Sequence, residues 1–329
     1  LKNLVKNNCQ IFLFRNFLLY YSMQLKTPRD LAIKARMLGK KTISYSQFSR
    51  YKTCPKSWKL SYIDKHREFD PSIFLIFGTA FHETLQTYLD TMYNESAVKA
   101  NELNVNKILM DSMRKEYKEV VKDCGSDFSN AEELGEFYQD GVAIMDWFKK
   151  KRGAYFSKKN TKLVGIEMPI LCETDSNSNI MMMGFLDVVM KEHDKIKIYD
   201  IKTSTRGWKD AQKKANGDQL RLYKKFFSKQ YGIDEKDIEV EYFIVKRKLW
   251  ENCDFPQKRI QLVRPAAGKP SLNRVMKELD NFISTAFTPE GKHNKEANYP
   301  AIAGLKNVNC KWCEYRDRED LCPKVERIK

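Results

Sequence analysis

Two acids and one lysine carry the most chemical information in this sequence. Asp187 closes the run Gly184-Phe185-Leu186-Asp187, and Asp200 and Lys202 stand in Tyr199-Asp200-Ile201-Lys202-Thr203-Ser204. Side chains alternate along a strand, so Asp200 and Lys202 share one face. A hairpin through His193-Asp194 brings Asp187 beside Asp200. Carboxylates held that close repel unless a cation lies between them, and oxygen donors suit Mg²⁺ or Mn²⁺. The Lys202 ammonium can then orient an attacking water and stabilise charge on a phosphate. An acid two residues before a lysine is common; Glu116-Tyr-Lys118 and Asp234-Glu-Lys236 also occur. Asp200-Ile-Lys202 is set apart by ending an apolar run, following a second acid-bearing run and preceding a basic segment.

A second group of chemical residues lies near the carboxyl end. Cys310 and Cys313 are two residues apart, Cys322 follows, and Cys54 lies far upstream. The spacing lets thiolates face one metal centre, and a four-cysteine zinc site is one outcome. Eight cysteines in 329 residues are too sparse for a disulfide scaffold. Cys124 and Cys172 read as small buried hydrophobes.

These pieces fall in an order that resembles the PD-(D/E)xK nuclease superfamily, specifically its RecB-like branch, which includes CRISPR-associated RecB-like exonucleases and the AddB nuclease domain. Ser46-Gln-Phe-Ser-Arg-Tyr-Lys-Thr-Cys54-Pro55 resembles that branch's opening motif, and Gly78-Thr-Ala-Phe-His82 its GxxxH motif. Gly184 to Asp187 and Asp200 to Lys202 resemble the two catalytic motifs, and Gln219-Leu-Arg-Leu-Tyr223 the QxxxY motif. The resemblance implies a restriction-endonuclease-like α/β fold. It implies His82, Asp187, Asp200 and the Ile201 carbonyl as ligands of Mg²⁺ or Mn²⁺, and Lys202 as the catalytic lysine. Glu167, Gln219 and Tyr223 become accessory residues. Cys54, Cys310, Cys313 and Cys322 become ligands of a [4Fe-4S] cluster, preferred over zinc. His66, His193 and His293 lack such a setting and are expected at the surface.

The elements that must position these residues follow from hydrophobic period. Ser44 or Ser46 can cap a helix carrying Tyr45, Phe48, Tyr51, Trp58 and Tyr62. Residues 73–89, 104–121 and 131–151 have helical spacing. Residues 162–171, 180–190 and 195–203 read as three consecutive strands, separated by turn-formers. A helix over 208–230, a strand over 237–247, a possible strand over 258–263 and a helix over 271–287 follow. The order predicts a mixed central sheet with helices on its faces. Residues 1–40 are an N-terminal extension, and 41–329 a single nuclease domain. That domain divides into a helical part (41–160), a catalytic sheet (161–265) and a C-terminal helix with a cluster-binding tail (266–329).

Composition bounds the partners. The chain has 59 basic and 43 acidic residues, a formal net charge of +16. A polyanion such as DNA suits that charge. Arg206, Lys209, Lys213, Lys214 and Arg221 adjoin the candidate site and are the expected phosphate contacts. Trp208 or Tyr51 is a weaker candidate for stacking on an unpaired base. The apolar run 11–21, broken by Arg15 and Asn16, is too short to span a membrane, so a cytoplasmic setting is expected. Residues 1–22 read as a non-native or optional extension before Met23; dropping Lys2, Lys6 and Arg15 leaves the net charge at +13. No GxxxxGK[ST] loop is present, so helicase work would fall to a partner in recombination or repair. The expected activity is metal-dependent DNA hydrolysis at strand ends, in recombination, repair or phage DNA metabolism. An endonuclease and a catalytically idle DNA-binding module are the alternatives.

Overall fold

A computed structural model describes residues 25–67, 70–250 and 257–329. The expectation for residues 1–22 lies outside the described residues. The chain runs α1 (Pro28–Met37), β1 (Lys41–Ser44), α2 (Tyr45–Thr53), α3 (Pro55–Tyr62), α4 (Ile73–Asn94), α5 (Ala97–Glu102), α6 (Val105–Cys124) and α7 (Ala131–Lys151). It continues through β2 (Thr161–Glu173), β3 (Ile180–Glu192), β4 (Lys195–Ser204), α8 (Asp210–Ala215), α9 (Gly217–Tyr231), β5 (Ile238–Lys246) and β6 (Ile260–Val263). Helix α10 (Lys269–Ala286) and the short strands β7 (Ala301–Ile302) and β8 (Arg327–Ile328) complete it.

The mixed α/β sheet expected from sequence is present. Strand β3 is its hub. Strand β2 pairs antiparallel with β3 from Thr161↔Glu192 to Glu173↔Met181 and so covers one edge. The other edge is shared. Strand β1 pairs parallel with Ile180 to Met183, and β4 pairs antiparallel with Val188 to Glu192. Gly184 to Asp187 therefore lie in the interval between β1 and β4. Strand β5 lies parallel to β4, and β6 antiparallel to β5. A parallel pair needs a long crossover, and α8 and α9 supply it.

Helices cover both faces. Phe48, Trp58, Leu220, Phe226, Leu279 and Phe282 pack on one face against Ile198, Val240 and Ile244. Phe77, Phe81, Leu85, Leu109 and Phe148 pack on the other against Tyr199, Ile201 and Val245. Alternation along β4 thus sends Ile198 to one layer and Tyr199 and Ile201 to the other. Asp200 and Lys202 inherit the Ile198 face.

Two expected helices are broken where chain chemistry requires it. The helix from Tyr45 to Tyr62 stops at Thr53 and restarts at Pro55. Proline lacks an amide hydrogen and pushes its predecessor out of the helical region. Cys54 is accordingly extended, at φ −158° and ψ 107°. The helix expected over 208–230 is interrupted at Asn216, the C-cap of α8. Strand β1 was not expected; four residues are too few for a periodic signal. Ser44 does cap α2, accepting from the Gln47 amide at 3.4 Å.

His293 is the histidine that departs from expectation. Its ring lies 5.6 Å from that of Trp58 and 5.3 Å from that of Phe287. Burial, with Lys41 and Lys295 adding to it, lowers its pKa to about 4. His66 and His193 are exposed, as expected.

Candidate active site

The Asp187 and Asp200 carboxylates are placed by strand pairing. Val188 pairs with Tyr199, so each acid lies one residue beyond the end of the β3–β4 ladder. There the ladder gives way to a side chain: the Ile201 amide donates to Asp187 Oδ2 at 2.6 Å. The carboxylate stands in for a strand carbonyl. Lys202 Nζ lies 2.7 Å from Asp200 Oδ2. Lys202 is thus the cation that partners this buried oxygen.

Opposite Asp187, Glu167 has φ +48°. A bulky residue there is strained, by about 1–3 kcal/mol. The consequence is visible in the packing. Met168 and Leu186 form one pair and face the layer of α9; Ile166 and Val188 form the pair two residues on and face the layer of α4. Regular alternation would keep both pairs on one face. The hairpin turns over at Glu167 and Asp187, which opens this point of the sheet. Gln86 steadies it. Its Nε2 donates to Glu167 Oε1 at 2.5 Å and to the Asp187 carbonyl at 3.3 Å.

Helix α4 supplies His82 as well. Its Nδ1 lies 3.7 Å from Asp187 Oδ2. Burial, joined by the Lys202 charge, lowers the imidazole pKa to about 4, against a backbone contact at Ile201 that raises it. The ring is neutral at pH 7, the form that ligates metals. Gly78, one turn earlier, lets the helix lie close to β4. A Cβ at Gly78 would sit 3.4 Å from Thr203 Oγ1.

The electrostatics are those of too many acids for one base. Burial, then Asp200, pushes the Asp187 carboxyl well above the usual carboxylate range, with Lys202 pulling it back. Burial also raises Asp200, again opposed by Lys202. Glu167 is raised by burial and by Asp200, against its bond from Gln86. Lys202 is pulled down by burial, but Asp200 and Asp187 outweigh that and raise it. Three carboxylates thus face one ammonium. A divalent cation fits this donor set by charge and by oxygen and imidazole chemistry. Among the described residues, no group of three or more His, Cys, Asp or Glu is already gathered tightly enough to hold a metal ion.

Gln219 and Tyr223 sit one turn apart on α9. Gln219 Nε2 donates to the Tyr223 hydroxyl at 3.1 Å. The Tyr223 ring lies over Gly184, where a Cβ would meet its Cε1 at 3.1 Å. Tyr223 is raised by burial and by Asp200. Tyr45 also faces the site, with Lys202 among the charges that act on it.

The basic residues separate into two groups. Lys209 and Lys214 are exposed. Lys213 reaches Asp210 at 2.8 Å. Arg221 points inward: it binds Asp218 at 2.6 Å and the Ala266 carbonyl at 2.8 Å. It holds α9 in place and is not presented to a ligand. Trp208 packs on Tyr242, and Tyr51 on Phe282, so neither ring stands open for a base. Arg206 is exposed and covers the Trp250 ring at 3.9 Å.

Cys54, Cys310, Cys313 and Cys322 line one pocket of about 400 Å³, formed where α2 and α3 meet the C-terminal tail. All four are free thiols. Burial raises Cys310, and the thiols of Cys313, Cys322 and Cys54 add to the push, while Arg327 opposes it. The break at Cys54-Pro55 brings the upstream thiol to this pocket. The Ile302 amide donates to its sulfur at 3.3 Å.

Gln86 and Tyr45 were missed in the sequence. Gln86 follows His82 by four residues and so shares its helix face, a signal that could have found it. Nothing local marks Tyr45.

The sequence profile of the PD-(D/E)XK nuclease superfamily matches residues 42–322, and the chain belongs to that superfamily. Two solved structures are similar. One, from Eubacterium rectale, is provisionally designated an exonuclease. It shares 9% identity, over 75% of this chain and 80% of that chain, with a TM-score of 0.41. The other, SSO0001, shares 11% identity, over 84% of this chain and 96% of that chain, with a TM-score of 0.30. A search of curated proteins gave no match. Among the described residues, no helix is long and apolar enough to cross a membrane.

Proposed function

We propose that this chain is a metal-dependent DNA nuclease of the RecB-like branch that hydrolyses phosphodiester bonds at DNA ends. The observation that carries the reading is the convergence of Asp187, Asp200 and Lys202 at an opened point of the sheet, with His82 beside Asp187. Asp187, Asp200, His82 and the Ile201 carbonyl are the proposed holders of Mg²⁺ or Mn²⁺. Bound there, the cation supplies a water of lowered pKa and neutralises phosphate charge.

The chain's own residues do the rest. The Ile201 amide fixes one oxygen of Asp187, and Gln86 fixes Glu167 beside it. Lys202 keeps its proton, because its carboxylate neighbours outweigh burial. It donates to the water or to a phosphate oxygen and so stabilises developing charge. Gln219 orients Tyr223, whose ring forms the wall over Gly184. Exposed Lys209 and Lys214 are the proposed contacts to the phosphate backbone.

Cys54, Cys310, Cys313 and Cys322 are the proposed ligands of a [4Fe-4S] cluster. The support is four thiols of suitable chemistry around one pocket that joins α2 and α3 to the tail. The cluster's role is to staple these two regions.

The deciding experiment digests end-labelled single-stranded DNA, end-labelled duplex and closed circles with Mg²⁺ or Mn²⁺. Wild type should cut from ends and spare circles, and Asp187→Ala and Lys202→Ala should be inactive. Equal behaviour of all three proteins would end the catalytic reading; cutting of circles would replace exonuclease with endonuclease. Anaerobic purification with iron, sulfide and zinc assays tests the cluster.

A further inference from the structure

Trp250 follows β5, and its side chain is 56% exposed. The Arg206 guanidinium carbon lies 3.9 Å from its ring centroid. This exposed pair is held in place by backbone on both sides. The Arg247 amide donates to the Ser204 carbonyl at 2.8 Å, and the Lys248 amide to the Thr205 carbonyl at 2.8 Å. Gln257 clamps the Trp250 main chain, accepting from its amide at 2.7 Å and donating to its carbonyl at 2.6 Å. An indole held by its backbone with part of its ring open to solvent is available to a stacking partner.

Its position suggests which. Arg206 lies four residues beyond Lys202 along the exit of β4. At about 3.3 Å per extended residue, the two backbones are within about 13 Å of each other. We propose that the Arg206–Trp250 pair is a stacking platform for one unpaired nucleobase of the DNA strand that enters the candidate active site. This inference rests on the nuclease reading and deepens it, naming a single-stranded or frayed end as the substrate. Arg206 covers one face of the indole and adds positive charge beside the strand; the base takes the open part of the ring. Every base has a π-face, so the contact is tolerant of sequence.

The test is binding, read by fluorescence anisotropy of the full chain in EDTA. The probes are a labelled oligo-dT and a labelled blunt-ended hairpin duplex. Trp250→Ala should weaken oligo-dT binding about 5- to 150-fold, the range for loss of one stacked base. Trp250→Phe should recover most of it, and Arg206→Gln should weaken oligo-dT binding as well. Blunt duplex binding should change less than about 2-fold. Unchanged oligo-dT affinity in Trp250→Ala, or equal losses on both probes, would overturn the proposal, as would failure of wild type to bind oligo-dT. Selective loss in a protein that cuts no DNA would keep the platform and reject the nuclease. Normal cutting with unchanged binding would do the reverse.

Discussion

Replacing Asp218 by Asn should be among the most damaging single-atom changes available outside the candidate active site. The Asp218 side chain is 8% exposed and accepts from three cations. Arg221 and Arg274 reach Oδ1 at 2.6 Å each, and Lys52 reaches Oδ2 at 2.6 Å. The carboxylate thereby ties α2, α9 and α10 together. Each hydrogen bond to a charged group contributes about 1.5–3 kcal/mol, which would sum to roughly 5–9 kcal/mol if all three were buried. They are not. Lys52 and Arg274 are 42% and 46% exposed, and both also reach Glu278. Solvent and Glu278 will rescue much of their share. Arg221, 12% exposed, will not be rescued in this way. The expected loss is therefore about 2–4 kcal/mol, measured by urea unfolding at pH 7 with an unchanged m-value. The pH dependence supplies a second check. The hydrogen bonds from Lys52, Arg274 and Arg221 outweigh burial and hold the Asp218 pKa below its ordinary value. Its stabilising share is thus present above about pH 4 and lost as pH falls through the lowered folded pKa. The gap between wild type and Asp218→Asn should close over that acid range. A loss under about 1 kcal/mol, or a gap that does not depend on pH, would refute the reasoning.

Further outcomes are expected elsewhere. The His293 pKa of about 4 lies below the ordinary value near 6.5, so the unfolded chain binds more protons between them. Wild type should lose roughly 1–2 kcal/mol as pH falls from about 6.5 to about 4, solvent screening part of the shift of this half-buried ring, and His293→Asn should flatten that limb of a urea-stability profile. Gly184→Ala places a methyl 3.1 Å from the Tyr223 ring and should lose about 1–3 kcal/mol by overpacking. In a Tyr223→Ala background the same change should be nearly neutral, as a double-mutant cycle would read out. Gln86→Ala removes the donor to the Glu167 carboxylate and to the Asp187 carbonyl. It should lower kcat on oligonucleotides by about 10-fold or more with little change in KM, consistent with about 1.4 kcal/mol of lost positioning. Cys313→Ser should reduce iron and sulfide content together if the cluster is present, while zinc content answers for the alternative.

Much of the fold was legible along the chain. Short apolar runs bounded by turn residues mark β2, β3 and β4, because strands covered by helices on both faces carry apolar residues on each. The His193-Asp194 turn follows from them, and with it the approach of Asp187 to Asp200. The helix break at Cys54 was also written locally, in Pro55. Side-chain direction was not. Arg221 stands in a basic run expected to contact phosphate, yet its partner Asp218 is buried by α2 and α10, elements far away in sequence. His293 carries no local sign of burial, because Trp58 and Phe287 arrive from other elements.

The same division holds at the candidate site. Sequence alone determined its residue types and their order: two acids, a lysine, a histidine on a helix and four cysteines split across the chain. Those choices concern chemistry and short-range spacing, which the chain carries locally. Only the tertiary structure decided that Glu167 adopts a left-handed backbone, that the hairpin turns over there, and that three carboxylates are buried beside one ammonium. Each depends on four elements meeting, β2 and β4 against β3 with α4 laid across them. Strain and desolvation belong to that meeting, and no stretch of sequence contains them.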